Sequence, residues 1–183
     1  TELKSLLSDE EYTQARESTL TAFYTPPIVV DSIYSVLNNL GFKYGNILEP
    51  ACGGTGNFLG RLPDQMKDSK LYGIELDSIS GRIAKQLYQK ANITIDGYEN
   101  TNLPDCFFDI AISNVPFGQF KVSDKRYDKL NFNIHDYYFA KTLDKVRPGG
   151  IVAFVTSKYT MDKANSSVRK YISERAELLG AIR

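Results

Sequence analysis

The chain has 183 residues, enough for one domain with a real core, and its 22 Lys and Arg balance 22 Asp and Glu. Hydrophobic residues make up 42% and charged residues 24%, which excludes a disordered composition. No apolar run is long enough to cross a bilayer, no signal peptide is visible, and Cys52 and Cys106 do not form a metal-ligand cluster, so a reduced, cytoplasmic protein without a bound metal is expected.

In chain order, Ser8 and Glu11 have the spacing of a capping box, which predicts a first helix there. Thr25 reads as the cap of the next helix, with Pro26 and Pro27 in its first turn. Val29, Ile33, Val36, Leu37 and Leu40 give that helix its apolar face, and Gly41 ends it. Short apolar runs predict strands over 46–49, 71–75, 93–96, 108–113, 151–156 and 178–182. Between them, Asp77 caps a helix marked by Ile79, Ile83, Leu87 and Ala91. Phe139, Leu143 and Val146 mark another, ended by Pro148-Gly149-Gly150, and 167–176 is a third. The segment 118–133 has neither period; its polar backbone predicts a functional or mobile loop. Strands alternating with helices predict an α/β fold, a parallel sheet with helices on both faces. Residues 1–41 read as an N-terminal helical region and 42–183 as the α/β core, together one domain. The chain opens on Thr1 and stops directly after an expected strand, so a piece of a longer polypeptide is expected.

The first strand runs into Glu49-Pro50-Ala51-Cys52-Gly53-Gly54-Thr55-Gly56-Asn57-Phe58. Glycines at a strand-to-helix turn let the backbone approach a ligand closely, although a plain turn also favours them. The next strand ends at Glu75, whose carboxylate can accept from both hydroxyls of a ribose. Neither a dinucleotide fingerprint nor a P-loop is present. After the third strand, Asp96 and Glu99 are both candidates to accept from the amino group of an adenine.

The glycine segment resembles the first motif of S-adenosylmethionine methyltransferases, with one glycine more than many relatives carry. Upstream, Phe23-Tyr24-Thr25-Pro26-Pro27 resembles the N-terminal motif of amino-methyltransferases. The resemblance implies S-adenosyl-L-methionine as cofactor. It implies contacts from Tyr24, Thr25, Glu49, Ala51, Gly53, Gly54, Gly56, Asn57, Phe58, Glu75, Leu76, Asp96, Glu99 and Asn114, with Thr25 at the cofactor carboxylate.

Asn114-Val115-Pro116-Phe117 follows the strand over 108–113 and resembles the Asn-Pro-Pro-Tyr/Phe signature of enzymes that methylate an amide or exocyclic amino nitrogen. Such a nitrogen is a poor nucleophile because its lone pair is delocalised. Acceptors at the Asn114 carboxamide and the Val115 carbonyl can bind its N–H groups and free the lone pair. Phe117 can stack on an unpaired base. Val115 stands where the signature has its first proline; it supplies the same carbonyl on a less rigid loop.

Together with Gly97-Tyr98-Glu99, Ile134 to Phe139, Arg147-Pro148-Gly149-Gly150, Thr156-Ser157 and Met161-Asp162, these motifs resemble the methylase domain of very large helicase-linked proteins from phages and mobile elements. That branch lies close to the restriction–modification N6-adenine DNA methyltransferases. The resemblance implies a Rossmann-like sheet of seven strands, the last antiparallel, and this chain lacks the segment for that C-terminal strand. It implies methyl transfer to the amino group of adenine in DNA, the target base flipped into the pocket, in a bacterial or phage setting. Partners would be recognition or helicase regions of the parent chain. An RNA or protein-glutamine methyltransferase, and a nonenzymatic cofactor-binding module, are the alternatives. His135 reads as a helix cap or a substrate contact. Lys125 and Arg126 read as phosphate contacts or, with Asp124 and Asp128 beside them, as a solvated loop.

Overall fold

The computed structural model describes residues 2–13, 24–53 and 56–183. Phe23, Gly54 and Thr55 of the motifs lie outside the described residues. Within them, β1 (Asn46–Glu49), β2 (Lys70–Glu75), β3 (Asn92–Ile95), β4 (Phe108–Asn114) and β5 (Val146–Val155) form one parallel sheet in the order β3-β2-β1-β4-β5. The chain steps outward from β1 to β3, then returns to place β4 on the other side of β1. The order therefore reverses between β1 and β4, and a ligand crevice in such a sheet lies at the carboxyl ends of those two strands.

Side-chain alternation divides the core between the two faces. Ile47, Ile110 and Ile112 meet Val30, Tyr34 and Leu37 of α2 (Pro27–Asn39) on one face. Leu48 and Ala111 meet Ile134, Tyr137, Tyr138 and Ala140 of α5 (Ile134–Lys145) on the other. Three further helices are α3 (Asn57–Gly60), α4 (Ser78–Leu87) and the short N-terminal α1 (Glu2–Leu6). After β5 come α6 (Tyr159–Asp162) and α7 (Ser167–Ser173). The capping box forms reciprocally: Ser8 N donates to Glu11 Oε2 at 2.9 Å and Glu11 N to Ser8 Oγ at 3.2 Å.

Several expected details are corrected. Val29 and Val36 of α2 and Leu40 just beyond its end are exposed, and the buried row is Val30, Tyr34 and Leu37. Tyr34 joins the core because its hydroxyl finds the Phe58 carbonyl at 2.7 Å. Thr25 is not the cap of α2: Pro26 holds that position, and Thr25 is buried one residue earlier. Asp77 caps α4 as expected, accepting from Ser80 N at 2.7 Å. That helix nevertheless meets β3 through small residues. Gly81 and Ala84 are buried, Ile83 and Leu87 are exposed, and a Cβ on Gly81 would lie 2.6 Å from Ile95 Cγ1.

Arg147-Pro148-Gly149-Gly150 does not end the helix: α5 stops at Lys145, Val146 already belongs to β5, and the motif lies within that strand. It bulges out of β5, so that Phe108 pairs with Val146 and Ile110 already pairs with Ile151. The last expected strand, 178–182, takes no place in the sheet. Leu178, Leu179 and Ile182 are exposed, and an apolar run makes a strand only where a neighbour satisfies its backbone groups.

The segment 118–133 is better held than its sequence suggested. Tyr127 is buried, and its hydroxyl donates to Asp144 at 2.8 Å. Asp124 accepts from the Tyr137 hydroxyl at 2.8 Å and from Lys141 Nζ at 3.0 Å. A 3-10 turn, Asp128–Leu130, carries part of its backbone.

Candidate functional site

The turn after β1 is stitched to both neighbouring strands. Cys52 N donates to the Ile74 carbonyl at 2.9 Å, and Ser113 Oγ, at the end of β4, donates to the Ala51 carbonyl at 3.2 Å. Gly53 and Gly56 both take the left-handed conformation, at φ +63 and +51. A Cβ on Gly53 would enter open space, whereas one on Gly56 would lie 2.5 Å from Tyr88 Cε2. One glycine therefore borders the crevice, and the other lets α3 begin against the α4 end of the molecule. Asn57 opens α3, and Phe58 is buried in the core with only its backbone left to serve the turn.

Glu49 is 1% exposed and accepts from Leu59 N at 3.1 Å. Burial pushes its carboxyl well above the usual range, against the pull of the Leu59 and Phe58 N–H groups. It sits beneath the glycine turn and anchors the start of α3 to the end of β1.

At the tip of β2, Glu75 Oε1 accepts from Asp77 N at 2.8 Å. Burial raises its carboxyl, opposed by the N–H groups of Asp77, Gly53 and Leu76. Leu76 beside it is 73% exposed, an apolar wall at the crevice. At the tip of β3, Asp96 N donates to the Glu75 carbonyl at 2.9 Å. The Asp96 carboxylate is engaged in its own turn, with Oδ1 accepting from Gly97 N at 2.7 Å and Asn100 Nδ2 at 2.8 Å. Glu99 folds back over Gly97, where a Cβ would collide with its carboxylate.

At the tip of β4, Asn114 pairs with Val155 and is half-buried. Val115 N donates to the Val155 carbonyl at 3.1 Å, and its side chain is buried in the α5-side core. Proline has no N–H for that bond, so valine at this position extends the β4–β5 ladder. Pro116 turns the chain outward, and Phe117 is 39% exposed. Tyr24, also exposed, and buried Thr25 precede α2.

The carboxyl ends of four adjacent strands thus gather the glycine turn, Glu75, Asp96 with Glu99, and Asn114 to Phe117. Three weaker candidates stand differently. His135 is no cap: it lies inside the first turn of α5, buried, its Nε2 3.4 Å from Asp136 Oδ1, and burial lowers its pKa. Arg126 pairs with Asp105 and Asp144, each at 2.8 Å. Those carboxylates precede the starts of β4 and β5, roughly 20 Å along β4 from Asn114 at a rise near 3.3 Å per residue. Arg126, read as a phosphate contact or as part of a solvated loop, is thus tied into the loop by two carboxylates at the far end of β4 from Asn114. Lys125 beside it is exposed.

The sequence reading missed Ser113 and Lys141. Ser113 ties the two halves of the crevice together, but one serine before a motif carries no pattern. Lys141 did leave a signal: with Tyr137 and Lys145 it follows an i, i+4, i+8 row along one face of α5. Two cavities lie elsewhere: about 390 Å³ beside Asp31, Tyr34 and Arg61, and about 330 Å³ beneath the loop at Lys121, Tyr127 and Phe132. Neither is lined by the glycine turn, Glu75 or Asn114 to Phe117.

The model of the N-6 DNA methylase family matches residues 6–183. The chain is 29% identical over 170 residues to "Defense against restriction protein B" of Escherichia phage P1, covering 90% of this chain and 7% of that protein. It is 24% identical over 188 residues to the type I restriction enzyme MjaIX methylase subunit of Methanocaldococcus jannaschii, covering 87% of this chain and 33% of that one. The chain thus spans a third or less of the length of these relatives. A solved structure from Vibrio vulnificus, described as a modification subunit of a type I restriction enzyme, superposes with a TM-score of 0.64 over 89% of this chain and 41% of that one. At 21% identity, that likeness shows a shared fold, the Rossmann-like methyltransferase sheet.

Proposed function

Because the chain belongs to the N-6 DNA methylase family, we propose that it transfers the methyl group of S-adenosylmethionine to the exocyclic amino nitrogen of adenine in DNA. The meeting of the glycine turn with Asn114 to Phe117 at the point where strand order reverses carries this reading.

The residues fit the cofactor. Gly53 leaves open space where a side chain would stand, Leu76 offers an exposed apolar wall, and Glu75 offers a carboxylate already oriented by N–H groups. Glu75 takes the ribose hydroxyls and Leu76 packs on the adenine. Glu99 takes the adenine amino group, since Asp96 spends its carboxylate on its own turn. Tyr24 and Thr25 close over the methionine end. When bound, S-adenosylmethionine would supply an electrophilic methyl on a sulfonium sulfur, the S–CH3 bond breaking to leave the neutral thioether S-adenosylhomocysteine while the methylated nitrogen gives up one N–H proton to solvent.

The target side is built by β4. The Asn114 carboxamide oxygen and the Val115 carbonyl accept the two N–H bonds of the target nitrogen and draw it toward tetrahedral geometry, which returns its lone pair to the nitrogen. The Val115 N–H bond to Val155 holds that carbonyl in place without the missing proline. Phe117 stacks on the flipped base. Preorganised acceptors aimed at developing positive charge, together with alignment, do the catalytic work.

The further partners are recognition or helicase regions of the whole protein, and the setting is the cytoplasm of a bacterium or a phage-infected cell, as the phage and archaeal relatives suggest. Among the described residues no helix is long and apolar enough to cross a membrane.

The test is methyl transfer by the protein and its Asn114→Ala variant to duplex DNA, to RNA and to a glutamine peptide. We expect adenine methylation in DNA, reduced about 10²–10³-fold in the variant while cofactor affinity is retained. A variant with normal turnover removes the role of Asn114. Transfer to RNA or glutamine in place of DNA overturns the substrate.

A further inference from the structure

Lys141 is a buried cation with four oxygen partners. Its side chain is 3% exposed, and Nζ donates to the carbonyls of Tyr98 at 2.7 Å, Thr101 at 3.2 Å and Glu99 at 3.3 Å. Its fourth partner is Asp124 Oδ2 at 3.0 Å, which also accepts from the Tyr137 hydroxyl at 2.8 Å. One ammonium, with three N–H donors, thus shares its hydrogen bonds between Asp124 and three carbonyls of the turn after β3, the turn that carries Glu99. Ordinary core packing has no need of a lysine there, since a buried charge is retained only where its hydrogen bonds are complete.

We propose that Lys141 is a positioning residue for Glu99, fixing the turn over 98–101 so that the Glu99 carboxylate stands where the amino group of the cofactor adenine arrives, with Asp124 holding Lys141 in place. The inference rests on the assignment of Glu99 above. Three carbonyls drawn to one point restrain the turn, and Glu99 is carried on it. Asp124 comes from the loop that follows Asn114 to Phe117, so the same ammonium joins that loop to the cofactor side. Burial lowers the pKa of Lys141, and the carboxylate opposes that shift. Lys145, one turn further along α5, repeats the pattern on the Leu103 carbonyl and Asp105, each at 2.7 Å, and continues the clamp down the connection to β4.

The readout is base selectivity: the affinity of the chain for S-adenosylhomocysteine relative to its inosine counterpart, which lacks the amino group. A carboxylate acceptor gives selectivity on the order of tenfold or more. Glu99→Ala, Lys141→Met and Asp124→Asn are compared with the unaltered chain by calorimetry, alongside thermal melting. Asp124→Asn keeps shape and volume and stands in if Lys141→Met does not fold. The proposal expects selectivity to fall toward one in Glu99→Ala and at least severalfold in Lys141→Met or Asp124→Asn. A lower melting temperature with selectivity intact in the Lys141 and Asp124 variants overturns it, because a merely structural lysine has that signature. Selectivity intact in Glu99→Ala overturns the assignment of Glu99, and the positioning role falls with it.

Discussion

A single carboxylate offers the sharpest test of the cofactor end. Burial holds Glu75 above its ordinary value of 4.5, and in the proposed cofactor site ribose hydroxyls would donate to the ionised form. Affinity for S-adenosylhomocysteine should therefore be full above the raised pKa of Glu75 and fall as pH drops through it, with proton release on binding inside that window. Glu49 is raised in the same direction, again by burial. A carboxyl with a raised folded pKa contributes stability that is fully present below its unfolded pKa and lost as pH rises through the folded one. On this account Glu49 and Glu75 favour the folded protein in acid, so weaker binding there is not unfolding caused by these two groups. Calorimetry across the acid range on the chain and on Glu75→Gln checks the point. Glu75→Gln should flatten the profile and weaken binding at neutral pH, by about 1.5–3 kcal/mol for each charge-assisted hydrogen bond lost. A wild-type profile as flat as that of the variant would detach Glu75 from the ribose.

At the scale of elements, the glycine turn and the helix that follows it depend on one residue without a side chain. Gly56 sits at φ +51, where an L side chain costs about 1–2 kcal/mol, and its Cβ would also overlap the Tyr88 ring at 2.5 Å. Gly56→Ala should lower the melting temperature and weaken cofactor binding together. Adding Tyr88→Ala should recover part of the loss, since it removes the overlap and leaves the backbone strain. A Gly56→Ala chain as stable as the original would show that α3 does not need this turn. These elements were readable in sequence for physical reasons. Strands β1 to β4 are short apolar runs bounded by polar turns, so Glu75, Asn114 and Phe117 could be placed at their carboxyl ends without coordinates. Helix faces were not readable. Apolar residues lie on both sides of α2 and α4, and packing selected the row holding Tyr34 in one and the row of Gly81 and Ala84 in the other. Long-range pairings were hidden for the same reason: nothing in the sequence joins Lys141 to the carbonyls at 98–101 or Arg126 to Asp105 and Asp144. The run over 178–182 has the composition of a strand and no neighbour to pair with.

For the whole molecule, charge bounds how tightly the chain alone could hold the proposed DNA substrate. Formal net charge is zero, and several of its cations are already committed to carboxylates: Arg61 to Asp31, Arg82 to Glu11, Arg126 to Asp105 and Asp144, Lys141 to Asp124, Lys145 to Asp105 and Arg147 to Asp109. Affinity for a duplex grows with the number of phosphates neutralised, and cations held by carboxylates neutralise few. The chain alone should bind duplex DNA without sequence preference, with a Kd of roughly 10⁻⁴–10⁻⁶ M at physiological salt. Lys125 and Arg126, adjacent in sequence, should then separate. Lys125 is exposed, so Lys125→Ala should weaken binding slightly and reduce the steepness of its salt dependence by up to about one unit. Arg126 clamps the loop to α5 and to the connection before β4, so Arg126→Ala should lower the melting temperature and leave DNA affinity nearly unchanged. Fluorescence anisotropy over a salt series, with melting curves on the same samples, distinguishes the two. Nanomolar, sequence-specific binding by the chain would mean that a recognition surface lies on the α/β core itself. A loss of affinity in Arg126→Ala without loss of stability would return that residue to the phosphates.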